Sequence, residues 1–311
     1  VTAVIGIAAT MLPGNRFESI LAQAKATILF GQNFQLAGTK VDYYNTTSAM
    51  ASPLQHFWSL SIQGQFYLWW PLLILALAAI GLRTRKKLLG GLAVFGAASF
   101  AYALYTISQD PEAAYFSTPG RAWEFAFGGI LALLIPVISR HIQRFGHLRA
   151  VLGWIGAITL LSAGVVLHGQ HFPGWASMVP LLSAAAIMIA GNTGTAYGFD
   201  HLLRSKPLQF VATHSYALFL WHWPVLIVVQ RENTEMTFFR GLAIVLVSMV
   251  LAILTTRYVI DPLTKHGATS IIKINTPVFD RPLRSPIPRT AAAAVAVTLI
   301  AALASTFNLQ A

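Results

Sequence analysis

Eight apolar stretches decide what this chain can become. Leu72 to Gly81, Leu88 to Ile107, Phe125 to Ile138, Val151 to Leu167, Met178 to Ala190, Phe210 to Val229, Leu242 to Ile260 and Ala291 to Ala304 recur along the sequence. Each reaches, or with its flanks approaches, the roughly 20 residues needed to cross a bilayer as a helix. Val1 to Leu12, stopped by Pro13-Gly14, reads as the end of a ninth. Hydrophobic residues make up 56% of the 311 and charged residues only 10%, where soluble domains carry about 25% charge. The expectation is an all-α, polytopic integral membrane helical bundle with about nine spanning helices.

The basic charge then becomes a topology signal. With the stretch at Ser52 started outside, the loops assigned inside hold Arg83, Arg85, Lys86 and Lys87, then Arg140, Arg144 and Arg149, then Arg204 and Lys206, and finally Lys265, Lys273, Arg281, Arg284 and Arg289. The outer side holds Arg16, Lys25, Lys40 and Arg231. That is the asymmetry of a cytoplasmic membrane protein. It accounts for most of the net charge of +11 and argues against nucleic acid as a partner. Phe17 to Leu36 is helical by period but carries Glu18, Gln23, Lys25, Gln32 and Gln35, which suits an amphipathic segment lying at the interface. The chain begins inside an apolar run with no signal peptide, as an internal piece of a longer protein would. After the proline-rich inner loop Asn275 to Pro288 a last span exits outward, so the C-terminus is expected outside. The expected division is a transmembrane domain over 1–264, a basic linker over 265–289 and an extra helix over 290–311. Cysteine is absent, which removes disulfides and thiolate metal sites. His168 and His171 form an H-x-x-H without a third ligand, so no metal site is expected. Asn45-Thr-Thr47 has the form of a glycosylation sequon.

Polar side chains inside spans are costly and face a bundle interior or a watery cavity. Four clusters qualify: His56, Ser59, Gln63, Gln65 and Tyr67; Arg121 with Glu124; His214, Ser215 and Tyr216 leading to Trp221, His222, Trp223 and Pro224; and Arg257 to Pro262. By the topology the first three start in, or reach, the outer half of the membrane, and their convergence there on one cavity is the expectation. Each has a plainer reading beside it. Arg121 and Glu124 stand three apart and can pair across one helical turn. His222 can satisfy a carbonyl freed by Pro224, Gln63 and Gln65 can join helices by hydrogen bonds, and the tryptophans can belong to an interfacial belt.

These residues also carry a resemblance. SPLQHFWSLSIQGQFYLWWPLL, from Ser52, resembles the signature of the family 3 membrane acyltransferases, S-P-L-x-H-x-W-S-L-x-x-E-E-Q-F-Y-x-x-W-P-L. RAWEFAFGGILALL resembles the family's R-x-W-E segment, HSYALFLWHWPVLI its S-Y-x-L-Y-L-W-H-W-P segment, and RYVIDPL its closing R-x-x-E-x-P, with Asp261 near the acidic position. Gln63-Gly64 stand where the family has paired glutamates, which leaves polar contact but no acid–base role there. Family members also have two earlier helices, bearing the histidine regarded as catalytic base, and this chain begins after them. The fragment alone is therefore expected to be inactive.

The resemblance implies transfer of an acetyl or other short acyl group. The donor would be a cytoplasmic acyl-CoA and the acceptor a hydroxyl of a cell-surface glycan or lipid-linked sugar. No bound cofactor is implied. It implies catalytic roles for Glu124, Arg121 and His56, and substrate contacts from Trp58, Ser59, Gln63, Gln65, Tyr67, Ser215, Tyr216, Trp221 and His222. Members with an extra outward helix often continue into an SGNH-type domain. The rival readings are a transporter or flippase of lipid-linked sugars, against which the lack of internal repeats counts, and an inactive accessory membrane protein.

Overall fold

The computed structural model of the protein describes residues 14–39, 52–167, 172–230 and 236–266. Among the described residues the regular elements are helices. In chain order they are α1 (Gly14–Ile28), α2 (Gln32–Gly38), α3 (Phe57–Ala79), α4 (Arg85–Gln109), α5 (Pro111–Tyr115), α6 (Thr118–Ile142) and α7 (Gly146–Val166). After a short 3-10 turn follow α8 (Met178–Ala190), α9 (Phe199–Leu203), α10 (Lys206–Val229) and α11 (Phe238–Thr255). A π-helical turn, Thr256–Ile260, leads into α12 (Asp261–His266).

Among the described residues six helical stretches are long and apolar enough to cross a membrane: Phe57–Ala79, Arg85–Gln109, Pro111–Ile142, Gly146–Val166, Lys206–Val229 and Phe238–Thr264. The protein is an all-α integral membrane protein. Of the nine expected spans, six fall on these helices. Trp175–Ala190 is apolar but shorter, and the 13 residues of α8 cover only about 20 Å at 1.5 Å per residue, against a hydrocarbon core of about 30 Å. The spans expected at Val1–Leu12 and Ala291–Ala304 lie outside the described residues, as do the linker beyond 266, the Asn45 sequon, and His168 and His171.

Sequence explains where the helices start. Thr84, Asp110, Ser117 and Thr237 each place a side-chain oxygen where it accepts from a backbone N–H of the first turn that follows. This is the capping such residues do best. Pro111 and Pro119 occupy first-turn positions, where a missing N–H costs nothing. The described residues fall into two compact units, one comprising 14–32, 52–61, 205–230 and 236–266, the other 33–39, 62–167 and 172–204.

In the first unit α1 buries Ile20, Ala24 and Thr27, four and three apart on one face, while Glu18 and Lys25 stay exposed. Ile20 and Ala24 form a core with Leu54 and Phe57, against which Leu60 and Leu220 pack. The single interfacial helix expected over Phe17 to Leu36 is instead two helices. Phe30, at φ 54, takes the left-handed position after α1, and Gly31 N donates to Ala26 O while Phe30 N donates to Thr27 O. That pair of bonds is a Schellman stop, filled by Phe where Gly is usual. The break leaves Gln32 fully buried. Its Nε2 donates to Gln23 Oε1 at 3.1 Å and its backbone N to Ser61 Oγ at 3.3 Å. Helices α10 and α11 pack together, joined by Trp221 Nε1 donating to Thr255 Oγ1 at 2.8 Å.

In the second unit α4 packs along α6, and α7 along α8. Small residues allow the close approach, as is usual between helices in lipid. A Cβ on Gly156 would stand 2.7 Å from the Ser183 carbonyl oxygen, and one on Gly96 would stand 3.2 Å from Ala126 Cβ. At the α8–α9 turn the buried Asp200 accepts from Thr193 Oγ1 at 2.7 Å, and this bond holds its carboxyl below the ordinary carboxylate range.

Candidate functional site

The ion pair Arg121–Glu124 lies in the second unit, in the first two turns of α6. Arg121 Nη1 donates to Glu124 Oε1 at 3.3 Å, and the two side chains are 11% and 20% exposed. Arg121 Nε also donates to the Tyr115 carbonyl at 3.0 Å, with its guanidinium 4.9 Å from the centre of the Tyr115 ring. The arginine is thus fixed from two sides before any ligand arrives. The buried Ser177 hydroxyl neighbours the Glu124 carboxyl, yet its Oγ completes no hydrogen bond of ordinary geometry. Trp123, one residue away, is held by Nε1 donating to the Pro173 carbonyl at 3.3 Å.

What fixes this helix start was only partly foreseeable. Ser99 of α4 donates from Oγ to the Pro119 carbonyl at 2.6 Å and accepts from Trp123 N at 2.8 Å. Pro119 O and Trp123 N are the pair a regular α-helix would join directly, so the serine hydroxyl stands in series with the backbone. Asn33 of α2, fully buried, donates from Nδ2 to the Phe116 carbonyl at 3.1 Å and to Thr118 Oγ1 at 2.9 Å. Gln65 of α3 reaches the same place: its Nε2 donates to Asn33 Oδ1 at 2.9 Å, and its Oε1 accepts from Thr118 Oγ1 at 2.7 Å. One turn on, Phe66 stacks on Phe125 with ring centres 3.6 Å apart. Asn33, Ser99, Thr118 and Ser177 are absent from the sequence-derived site. Ser117 caps the helix, but nothing local points Asn33 or Ser99 at its start.

The first unit gathers a different group. His56 lies in the turn before α3, 3% exposed. Its ring centre is 5.7 Å from that of His222, 5.3 Å from Phe219 and 6.4 Å from Trp223. Trp223 Nε1 donates to the Ser52 carbonyl at 2.9 Å, tying α10 to this turn. Neither ring nitrogen of His56 completes a hydrogen bond of ordinary geometry, although the Pro53 and Leu220 carbonyls act on the ring. Pro224 has no N–H for the carbonyl four residues earlier, and that carbonyl is Leu220. The freed oxygen is one of the two carbonyls that act on the His56 ring. Burial, then the neighbouring His222, push the His56 imidazole from its ordinary 6.5 down to about 3, so it is neutral near pH 7. His222 Nδ1 lies 2.7 Å from the Phe219 carbonyl. A carbonyl only accepts, so Nδ1 carries the hydrogen.

The other expected site residues are distributed along helix faces. Gln63 and Tyr67 are exposed and bond each other, Gln63 Nε2 donating to Tyr67 Oη at 2.8 Å. They stand one residue on from the buried Ile62 and Phe66, which turns them away from the buried stripe. Ser215 and Tyr216 are exposed, with Ser215 Oγ donating to the Ala212 carbonyl. Ser59 Oγ donates to the His56 carbonyl at 3.2 Å. Trp58 is buried. Arg257 sits in the π-helical turn with its guanidinium 5.7 Å from the centre of the Tyr258 ring. So the structure brings His56 to His222 within one unit, and Gln65 together with Arg121 and Glu124 to the start of α6 within the other.

Comparison with known proteins adds an independent line. A family described as an acyltransferase domain matches residues 18–257. The chain is 27% identical over 266 residues to the peptidoglycan O-acetyltransferase OatA of Listeria monocytogenes, covering 82% of this chain and 42% of that protein. It is 27% identical over 261 residues to YrhL of Bacillus subtilis, named as a candidate peptidoglycan O-acetyltransferase, covering 81% and 41%. A Staphylococcus aureus protein named as a candidate O-acetyltransferase is 25% identical over 283 residues, covering 86% and 45%. The chain thus spans less than half the length of these curated relatives. No solved structure matches.

Proposed function

The chain belongs to the family 3 membrane acyltransferases, its acyltransferase domain running over residues 18–257, and from that membership we propose its reaction. It moves an acetyl or other short acyl group from a cytoplasmic acyl-CoA onto a hydroxyl of an extracytoplasmic sugar or cell-envelope polysaccharide. Peptidoglycan is the acceptor that the names of the relatives suggest.

One observation carries the residue assignment: an arginine–glutamate pair, mostly buried, at the start of a helix apolar enough to span the membrane. Charged groups are kept in such a place for function more often than for stability. In the transfer the acceptor oxygen bonds to the thioester carbonyl carbon while the carbonyl electrons move onto oxygen. The resulting tetrahedral species collapses by breaking the C–S bond, and the proton lost by the hydroxyl ends on the departing thiol. Glu124 orients the hydroxyl or the base that removes its proton. Arg121, already held by Tyr115, either fixes Glu124 or faces the developing oxyanion. In the other unit, His222 stands beside a neutral His56.

The test is transfer of labelled acetyl from acetyl-CoA to surface glycan in membranes carrying the full-length parent protein, as wild type or Glu124→Gln. The carboxamide keeps the shape and removes the charge. Transfer should fall by about a hundredfold or more at equal amounts of inserted protein. An inserted Glu124→Gln variant with wild-type transfer would remove Glu124 from the reaction. A wild type that transfers from no acyl-CoA would overturn the function itself.

A further inference from the structure

Three hydrogen bonds at the start of α6 close on themselves. Asn33 Nδ2 donates to Thr118 Oγ1, Thr118 Oγ1 donates to Gln65 Oε1, and Gln65 Nε2 donates to Asn33 Oδ1, at 2.9, 2.7 and 2.9 Å. Each member is donor and acceptor once, so the cycle has a sense of rotation. The Phe116 carbonyl fixes that sense. It can only accept, so the atom of Asn33 that faces it must be the NH2 nitrogen. With Nδ2 settled, Oδ1 faces Gln65 and must receive its NH2, and Gln65 Oε1 then faces the Thr118 hydroxyl. No amide can be turned over without setting two acceptors against each other.

The cycle joins three helices, α2, α3 and α6, within one unit. Its anchors, Phe116 and Thr118, flank Ser117, the residue that caps α6 by accepting from Gly120 N. It therefore decides where α6 begins. Arg121 and Glu124 follow Thr118 by three and six residues, less than two turns, so an error in the first turn passes to both. Ser99 holds the same turn from the other side. We infer that Asn33, Gln65 and Thr118 are positioning residues for acyl transfer, a hydrogen-bonded cycle that sets the start of α6 and so the stance of the Arg121–Glu124 pair. This rests on the acyltransferase reading for its chemical consequence, but not for its structural one.

The experiment separates the two. The full-length parent protein is purified in lipid nanodiscs as wild type, Thr118→Val and Thr118→Ser. Amide hydrogen exchange over residues 120–124 is measured beside kcat and KM for acetyl-CoA. Thr118→Val keeps the shape and deletes two bonds of the cycle. It should speed exchange over 120–124 by about tenfold or more and lower kcat by about tenfold, with KM within about twofold of wild type. Thr118→Ser, which keeps the hydroxyl, should restore both readings. If Thr118→Val fails to accumulate in membranes, Gln65→Met replaces it with the same expectations. Unchanged exchange, faster exchange with unchanged kcat, or a Thr118→Ser protein as impaired as Thr118→Val would each overturn the inference. A wild type that transfers no acyl group would refute the functional reading, and the exchange rates would still decide whether the cycle sets the helix start.

Discussion

Removing the Ser99 hydroxyl is the most direct probe of how α6 is built. Ser99 is 9% exposed, and its Oγ makes two short bonds, to the Pro119 carbonyl and from Trp123 N. Each such bond contributes about 0.5–1.5 kcal/mol net, and a buried N–H left without an acceptor costs about 1–3 kcal/mol. Ser99→Ala is therefore expected to cost about 2–3 kcal/mol, provided that the turn cannot close and rejoin Trp123 N to Pro119 O by itself. Three contacts oppose closure. Asn33 holds Phe116 and Thr118, Ser117 holds Gly120 N, and the indole of Trp123 is tied to Pro173. A change of 1 kcal/mol moves the melting temperature of a domain of about 150–250 residues by about 2–4 °C, so a drop of about 4–12 °C is expected. Thermal unfolding in detergent, followed by tryptophan fluorescence, reads it. Ser162→Ala, where an exposed hydroxyl bonds only the Thr159 carbonyl of its own helix, is the control and should move little. A Ser99→Ala protein melting within about 1 °C of wild type would mean that the turn closes freely, and would refute the account of a first turn held open from outside.

Two further outcomes follow from the packing and the charges. Gly156→Ala puts a methyl 2.7 Å from the Ser183 carbonyl oxygen and 3.0 Å from Ala186 Cβ. The overpacking of about 1–3 kcal/mol should exceed the gain in helix propensity of up to about 1 kcal/mol, giving a net fall in melting temperature; a stabilised variant would show that α7 and α8 are not in contact there. For His56 the sign is set by a folded value near 3 against 6.5 unfolded. Between those values the unfolded chain binds the proton and the folded one does not, so stability falls as pH drops below about 6.5. At pH 5 the loss is about 2 kcal/mol. Melting of wild type and His56→Phe at pH 7 and 5 checks it, and an equal acid sensitivity in both would remove His56 as the cause.

The spans were legible because an apolar run of sufficient length has few alternatives in a chain this poor in charge. Met178–Ala190 was the exception: its composition reads as a span, and only its 13 residues limit its reach. Residues close in sequence were legible too. Arg121 and Glu124 pair across one turn as their spacing allows. What could not be read was the partnership across long separations. Asn33 lies 83 residues from Phe116, and Ser99 lies 24 from Trp123; a polar residue in an apolar run announces that it has a partner without saying which. The break at Phe30 escaped for a different reason. A phenylalanine carries no turn signal, and the left-handed position it fills is normally marked by Gly or Asn.

The handed cycle at Asn33, Gln65 and Thr118 also bears on how this sequence can drift. Its sense is set by a main-chain oxygen, which is the same whatever side chain stands at 116. Asn33→Asp would turn an oxygen toward that carbonyl, and Gln65→Glu would turn one toward Asn33 Oδ1. Neither error is mended by a change at one other corner. Replacing all three with apolar residues would take the Asn33 donor from the Phe116 carbonyl. A lineage can therefore inherit the triplet or abandon it whole, and intermediate combinations should be rare among descendants that keep the same helix start.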